Sequence, residues 1–243
     1  MRLDKILADN TAFSRNDIKK LILKKCVEIN GITAKKPNEN AEFGDEIKIK
    51  GKTIPLREFI YCIVNKPKGV LSATKDGYYN TKTVLDIIPA EFKKKDSFPV
   101  GRLDKNTTGL LLVTNNGDLA HKLLSPKFHV KKTYTVTVDG TFDAALAEEI
   151  TEKFKNGVTL KDGTALKPAE LKILSKHKAE ITLTEGKFHQ IKRMFGLFNL
   201  PVEELQRTSF GPLKLPKDLA EGQSRLLTDY ELEKLKCTIE NNK

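Results

Sequence analysis

The chain has 243 residues, with 43 Lys and Arg against 32 Asp and Glu for a formal charge of +11. An apolar fraction of 39% is enough to build a core, which excludes wholesale disorder, and the length predicts one to two domains. The charge excess points to a polyanionic partner, with plain solubility as its equal alternative. At the start, Met1-Arg2-Leu3-Asp4-Lys5 carries an early acid and no apolar stretch, so no signal peptide is expected.

Ser14 reads as a helix N-cap with Asp17 completing a variant capping box, and Ile18, Leu21 and Ile22 follow at helical spacing. Arg15, Lys19, Lys20, Lys24 and Lys25 lie on or near the remaining surface of that helix, either as an ordinary solvated face or as a phosphate-binding one. Val27-Glu28-Ile29-Asn30-Gly31-Ile32-Thr33 predicts two short strands around an Asn-Gly turn, and Asp45 to Lys50 alternates like a further strand. Residues 1–60 hold 13 basic and 9 acidic side chains, a net +4. Arg2-Leu3-Asp4-Lys5-Ile6-Leu7, Ser14-Arg15 and Val27-Glu28-Ile29-Asn30-Gly31 together resemble the S4 (αL-type) RNA-binding module. The resemblance makes Arg15 and Lys19 candidate RNA contacts. Many members have Gly and then a basic residue before the Val. Here Lys25-Cys26 stands instead, so Lys25 is expected to take the left-handed cap at some cost, and Cys26 supplies no phosphate contact. The expected division is an S4 domain at 1–52, a mixed-charge linker at 53–58 with Pro55, and a second domain at 59–238.

Beyond the linker, strands are expected at Phe59–Asn65, Leu110–Thr114, Thr133–Val138, Leu171–Leu174 and Ala179–Thr184. Helical patterns lie near Thr83–Ile88, Asp118–Leu124, Phe142–Lys155, His189–Phe198 and Thr228–Lys236. This mixture predicts an α+β class with a mainly antiparallel sheet rather than regular β-α-β winding. The longest apolar run, Phe59 to Val64, is far short of the about 18 residues that a membrane span needs, so no membrane partner is expected. Cys26, Cys62 and Cys237 form no C-x-x-C pair, which points to a reducing, cytoplasmic setting.

Four polar clusters interrupt the pattern. Lys66-Pro67-Lys68-Gly69 follows an apolar strand and reads as a turn with two bases. Gly101-Arg102-Leu103-Asp104, then Thr107-Thr108-Gly109, precedes the apolar Leu110-Leu111-Leu112-Val113. Its Asp104 is either a turn residue bonding its own backbone or a catalytic acid on a loop held by a rigid strand. Lys132-Thr133-Tyr134 heads an alternating strand in which Tyr134, Val136 and Val138 share a face, so Tyr134 is a core residue unless a site borders it. Glu185-Gly186-Lys187-Phe188-His189-Gln190-Ile191-Lys192-Arg193-Met194 opens a helix whose positive end and clustered cations suit phosphate. The four histidines show no ligand-like spacing, so no metal is expected. No Walker loop, dinucleotide fingerprint or Ser-His-Asp ordering is present, leaving one carboxylate to carry any catalysis.

In this order the clusters, with Leu205-Gln206-Arg207 and Gly211 after them, resemble the pseudouridine synthases of the RsuA/RluB/E/F family, which break the N-glycosidic bond of a uridine in RNA and rejoin the uracil through C5. The resemblance implies Asp104 as the catalytic carboxylate, attacking C1′ or removing a 2′ proton. It implies Lys192 as the adjacent cation, with Arg193 the nearby alternative, and Tyr134 against the uracil. Ile191 or Met194 would supply an apolar wall. Arg102 would hold the flipped-out conformation, and Lys66, Lys68, Lys187, Arg193 and Arg207 become candidate phosphate contacts. No cofactor is needed for an isomerisation. His121-Lys122-Leu123-Leu124-Ser125-Pro126 looks most like the small-subunit branch, which modifies uridine 516 of 16S rRNA. The implied partner is 16S rRNA or a small-subunit assembly intermediate, met by a monomer. The alternatives are a 23S rRNA synthase of the same family or a non-catalytic S4-type ribosome-assembly factor.

Overall fold

The structure is a computed structural model and describes residues 1–77 and 80–240. Two helices, α1 (Leu3–Asn10) and α2 (Arg15–Leu23), open the chain. Ser14 caps α2 by accepting the Asp17 N–H. Strands β1 (Val27–Ile29), β2 (Ile32–Thr33), β3 (Ile47–Ile49) and β4 (Lys52–Ile54) form an antiparallel sheet in the order β2-β1-β3-β4. Asn30 and Gly31 turn β1 into β2 with φ of 51° and 80°, the left-handed pair that this two-residue hairpin demands. Lys25 also takes a left-handed φ, 56°, without a glycine's freedom. Leu3, Ile6, Leu7, Ile18, Ile22, Val27, Ile47 and Ile49 are buried together under this sheet, with Leu56 packed on them. Strand β4 therefore carries the N-terminal unit past 52, into the segment expected to be linker.

The second sheet is built from β5 (Tyr61–Lys66), β6 (Phe98–Pro99), β7 (Thr108–Thr114), β8 (Lys132–Val138), β9 (Glu170–Ile173), β10 (Lys178–Leu183), β11 (Val202–Phe210), β12 (Leu213–Lys214) and β13 (Ser224–Leu226). Its order is β13-β5-β7-β11-β8-β10-β9, with β6 on β7 and β12 on β11. Among the described residues, β7 and β11 are the only two of these strands that pair in parallel. The fold is α+β with a mixed, mainly antiparallel sheet, as its composition of elements predicts.

Every residue of β7 is buried because both faces of the sheet are covered. Leu111 and Val113 face a core shared with Val64, Tyr134, Val136, Phe154 and Phe195. Leu110 and Leu112 face the other side, with Ile63, Phe210 and Leu235. Helices α3 (Val84–Ile87), α5 (Ala144–Asn156) and α6 (Gln190–Gly196) bury side chains in the first core. Helices α4 (Gly117–Leu124) and α7 (Asp229–Glu240) bury theirs in the second.

Candidate active site

Asp104 lies in the loop between β6 and β7, and the backbone on both sides of it is tied down. Ser72 Oγ bonds both polar groups of Leu103, donating to its carbonyl and accepting from its N–H at 3.0 Å each. On the other side, the Lys105 carbonyl accepts from Gly69 N–H at 2.9 Å and from Lys66 Nζ at 3.1 Å. The loop closes on itself where Thr107 N–H donates to the Asp104 carbonyl at 3.0 Å. The carboxylate itself stays free to face the cleft, about one-third exposed.

Helix α6 supplies the opposing charge. Lys192 Nζ stands 3.7 Å from Asp104 Oδ2, and His189 Nε2 stands 3.7 Å from Oδ1. His189 precedes the helix in a left-handed conformation, φ 47°, which turns the chain at the mouth of the cleft. Buried Gln190 stiffens that turn, accepting from the Lys187 N–H at 2.9 Å and donating to Glu185 Oε1 at 2.8 Å. Tyr134 enters from β8 with only 9% of its surface exposed, beside Leu183 of β10 and Leu205 of β11. Together these groups, with Arg102, Thr107, Lys187 and Ile191, line one open cleft.

The structure thus brings Asp104, Tyr134, Lys192, Arg102 and Lys187 around one space, although they come from three separate stretches of chain. It places other expected site residues elsewhere. Lys66, expected on phosphate, is fully buried at the end of β5, and its ammonium donates to the carbonyls of Pro67, Val70 and Lys105 at 2.9, 2.8 and 3.1 Å. Burial pushes the Lys66 ammonium down to about 8, against the pull of Asp104 and Glu221. Arg207, also expected on phosphate, is 2% exposed, bonds the Leu110 carbonyl through Nε at 2.8 Å, and lies over the Phe210 ring. Neither side chain has the open surface that a phosphate contact requires.

Arg193 points away from Asp104 and pairs with Asp162 at 2.5 Å, so it is not the carboxylate's alternative cation. Met194 is 1% exposed in the core, leaving Ile191 as the apolar wall. Lys68 is exposed and pairs with Glu204 at 3.6 Å. In the N-terminal unit, Lys19 is partly exposed, whereas Arg15 joins Arg2 in holding Asp4. Burial alone would raise the Asp4 carboxyl, but hydrogen bonds from Arg2 and Arg15 outweigh it and hold it at about 2.

Sequence reasoning weighs His189 only as a metal ligand and passes over Ser72, Gln190 and the Lys105 carbonyl. The signal for His189 and Gln190 is their place between Lys187 and Lys192. Nothing in the sequence marks Ser72.

Residues 60–196 match the family model described as RNA pseudouridylate synthase, and residues 1–47 match the S4 domain. An uncharacterized RNA pseudouridine synthase of Bacillus subtilis, YtzG, is 40% identical over 96% of this chain and 97% of its own length. The ribosomal small subunit pseudouridine synthase A of Haemophilus influenzae is 37% identical over 97% of this chain and 99% of its own. The ribosomal large subunit pseudouridine synthase B of Bacillus subtilis is 33% identical over 100% and 98%. Among solved structures, a crystal structure of a pseudouridylate synthase superposes with a TM-score of 0.66 at 33% identity, covering 97% of this chain and 99% of that one. With its cleft, its two matched domains and relatives aligned along its whole length, the chain belongs to the RNA pseudouridylate synthase family, in the RsuA/RluB group that carries an N-terminal S4 domain.

Proposed function

We propose that this enzyme isomerises a uridine of 16S rRNA, uridine 516, to pseudouridine, with Asp104 as the catalytic carboxylate. The observation that carries the catalytic assignment is the 3.7 Å approach of Lys192 Nζ to Asp104 Oδ2 inside the cleft walled by Tyr134 and Ile191. At that distance the Lys192 ammonium sets a positive charge directly beside the carboxylate. Asp104 attacks C1′ or takes the 2′ proton, and the N-glycosidic bond breaks. The uracil then turns between Tyr134 and Ile191, C5 bonds to C1′ as the Asp104–C1′ bond breaks or as the 2′ proton returns from Asp104, and the C5 proton leaves as N1 gains one.

A base inside folded RNA reaches such a cleft only when flipped out. Arg102, exposed at the mouth, has the planar guanidinium to occupy the vacated place. Lys68, Lys187 and Lys19 are the exposed or partly exposed cations that would position the RNA backbone.

The 16S target rests on the His121–Pro126 segment and on the small-subunit name of the Haemophilus relative. That segment ends α4 where Leu124 packs on Gly101 of the Asp104 loop. The large-subunit name of a Bacillus relative favours a 23S target as the second reading.

Transcribed 16S and 23S rRNA, which contain no pseudouridine, provide the test when each is incubated with the enzyme and mapped. We expect a modified uridine 516 in 16S and none in 23S, and no product from Asp104→Asn despite unchanged RNA binding. Product only in 23S overturns the target, and product from Asp104→Asn overturns the catalyst.

A further inference from the structure

Phe188 has an arrangement that the chemistry above does not use. Its ring is 74% exposed, the highest figure for a large apolar side chain among the described residues. A lone surface hydrophobe calls for no explanation. This one lies stacked on His189, ring centroids 3.9 Å apart and planes 18° from parallel. His189 in turn stands 3.7 Å from Asp104. The two rings therefore form a stepped platform that leads from the catalytic carboxylate to solvent.

The platform is held in place. Gln190 ties Glu185 and Lys187 through its side chain, so Phe188 sits at a bend whose flanks are fixed. The left-handed His189, φ 47°, completes the bend, a conformation that non-glycine residues seldom keep without a constraint. The Lys187 ammonium donates to the Ala165 carbonyl at 2.5 Å, anchoring the loop from a third direction. Arg102, Lys187 and Lys192 put positive charge along the same opening. Exposed aromatic faces set among cations are what single-stranded nucleic acid requires, since every base has a π face and every linkage a negative charge.

We propose that Phe188, backed by His189, is a stacking ledge for the unpaired base next to the target uridine. The ledge rests on the reading of the cleft as the uridine site. When the uridine is extruded toward Asp104, its neighbour on the same strand loses a stacking partner. The Phe188 face replaces that partner at the rim of the cleft. Stacking of this kind selects for an unpaired neighbour rather than for its identity, so it recognises a loop or bulge.

The test is single-turnover pseudouridine formation on whichever transcribed rRNA fragment the wild type modifies, together with direct binding of that fragment. Phe188→Ala should raise the half-saturating RNA concentration about tenfold while the saturating rate stays within about twofold and the melting temperature is unchanged. Phe188→Trp should restore affinity and Phe188→Leu should not. An abasic nucleotide on one side of the target should weaken wild type by a similar factor and add nothing to Phe188→Ala. Unchanged half-saturation in Phe188→Ala overturns the ledge. So does rescue by Leu equal to that by Trp, or additive losses with abasic RNA on both sides. Wild type that modifies 23S and not 16S overturns the target reading, and the same variants then decide the ledge on the 23S fragment.

Discussion

The ammonium of Lys66 donates to the carbonyl of Lys105, the residue after Asp104, at 3.1 Å from a fully buried position. Two further carbonyls, of Pro67 and Val70, complete its coordination, so one cation gathers the end of β5, the turn after it and the Asp104 loop. Lys66→Met keeps the volume and removes the charge. Stability should fall by about 1–3 kcal/mol, because the Pro67, Val70 and Lys105 carbonyls lose their charged donor. The rate should fall about 10- to 100-fold as the loop loses its anchor, with RNA affinity within about twofold of wild type. Single-turnover kinetics beside a binding titration checks this. An affinity loss with a normal rate would return Lys66 to the phosphate role that its sequence context suggests.

Lys192 and His189 both reach Asp104, at 3.7 Å each, the former through its ammonium and the latter through its ring. Lys192→Gln should reduce the saturating rate about 100-fold, the scale of removing one charge partner from an enclosed site. Lys192→Arg should recover part of that rate, since the cation returns with a different shape. Pseudouridine release at saturating RNA is the measurement. An unaffected rate in Lys192→Gln would shift the supporting role to His189.

Gly109 lies where β7 runs parallel to β11, paired with Arg207 at φ +100°. A Cβ there would strike the Arg207 carbonyl oxygen and come within 2.8 Å of its nitrogen. Gly109→Ala should therefore cost more than about 3 kcal/mol, from backbone strain and an approach that neither strand can relieve. Gly31 is the control, with φ +80° and nothing within 4 Å of the place a Cβ would take. Gly31→Ala should cost only about 1 kcal/mol. Thermal unfolding of both variants compares the close approach with the strain alone.

The parallel partner in that pair, β11, is also the longest strand that sequence patterning misses. Its buried positions are Leu205, Arg207 and Phe210, and irregularities between Val202 and Glu204 and between Arg207 and Ser209 break the period of two. One of its inward residues is an arginine, which patterning reads as surface. The same blindness misplaces Lys66, whose charge is legible but whose burial follows from β5 running one residue further than the strand expected at Phe59–Asn65. The strands and helices with clean periodicity, among them β7, β8 and α5, lie within two residues of where their patterns put them. For the site, the order of motifs is visible. That Asp104 meets Lys192 follows from the packing of α6 beside β11 and the tethered loop, which no spacing along the chain encodes.

Arg225 of β13 holds Glu231 of α7 through two hydrogen bonds, at 2.7 and 2.8 Å, fastening the C-terminal helix to the edge of the sheet. Those bonds, with the Thr228 N–H, lower the Glu231 carboxyl from 4.5 to about 2, outweighing its desolvation. A folded-state value below the unfolded one means that this carboxylate stabilises the fold fully above about pH 4.5. The contribution then drains away as pH falls through that value toward about 2. Glu231→Gln should accordingly cost about 2 kcal/mol at pH 7, allowing for the partial exposure of the pair, and the gap to wild type should close toward pH 2. The chain has no Trp, so urea unfolding followed by circular dichroism at pH 7, 5 and 3 is the suitable measurement. A gap of constant size across that range would mean that the glutamate acts through helix capping geometry rather than through its charge.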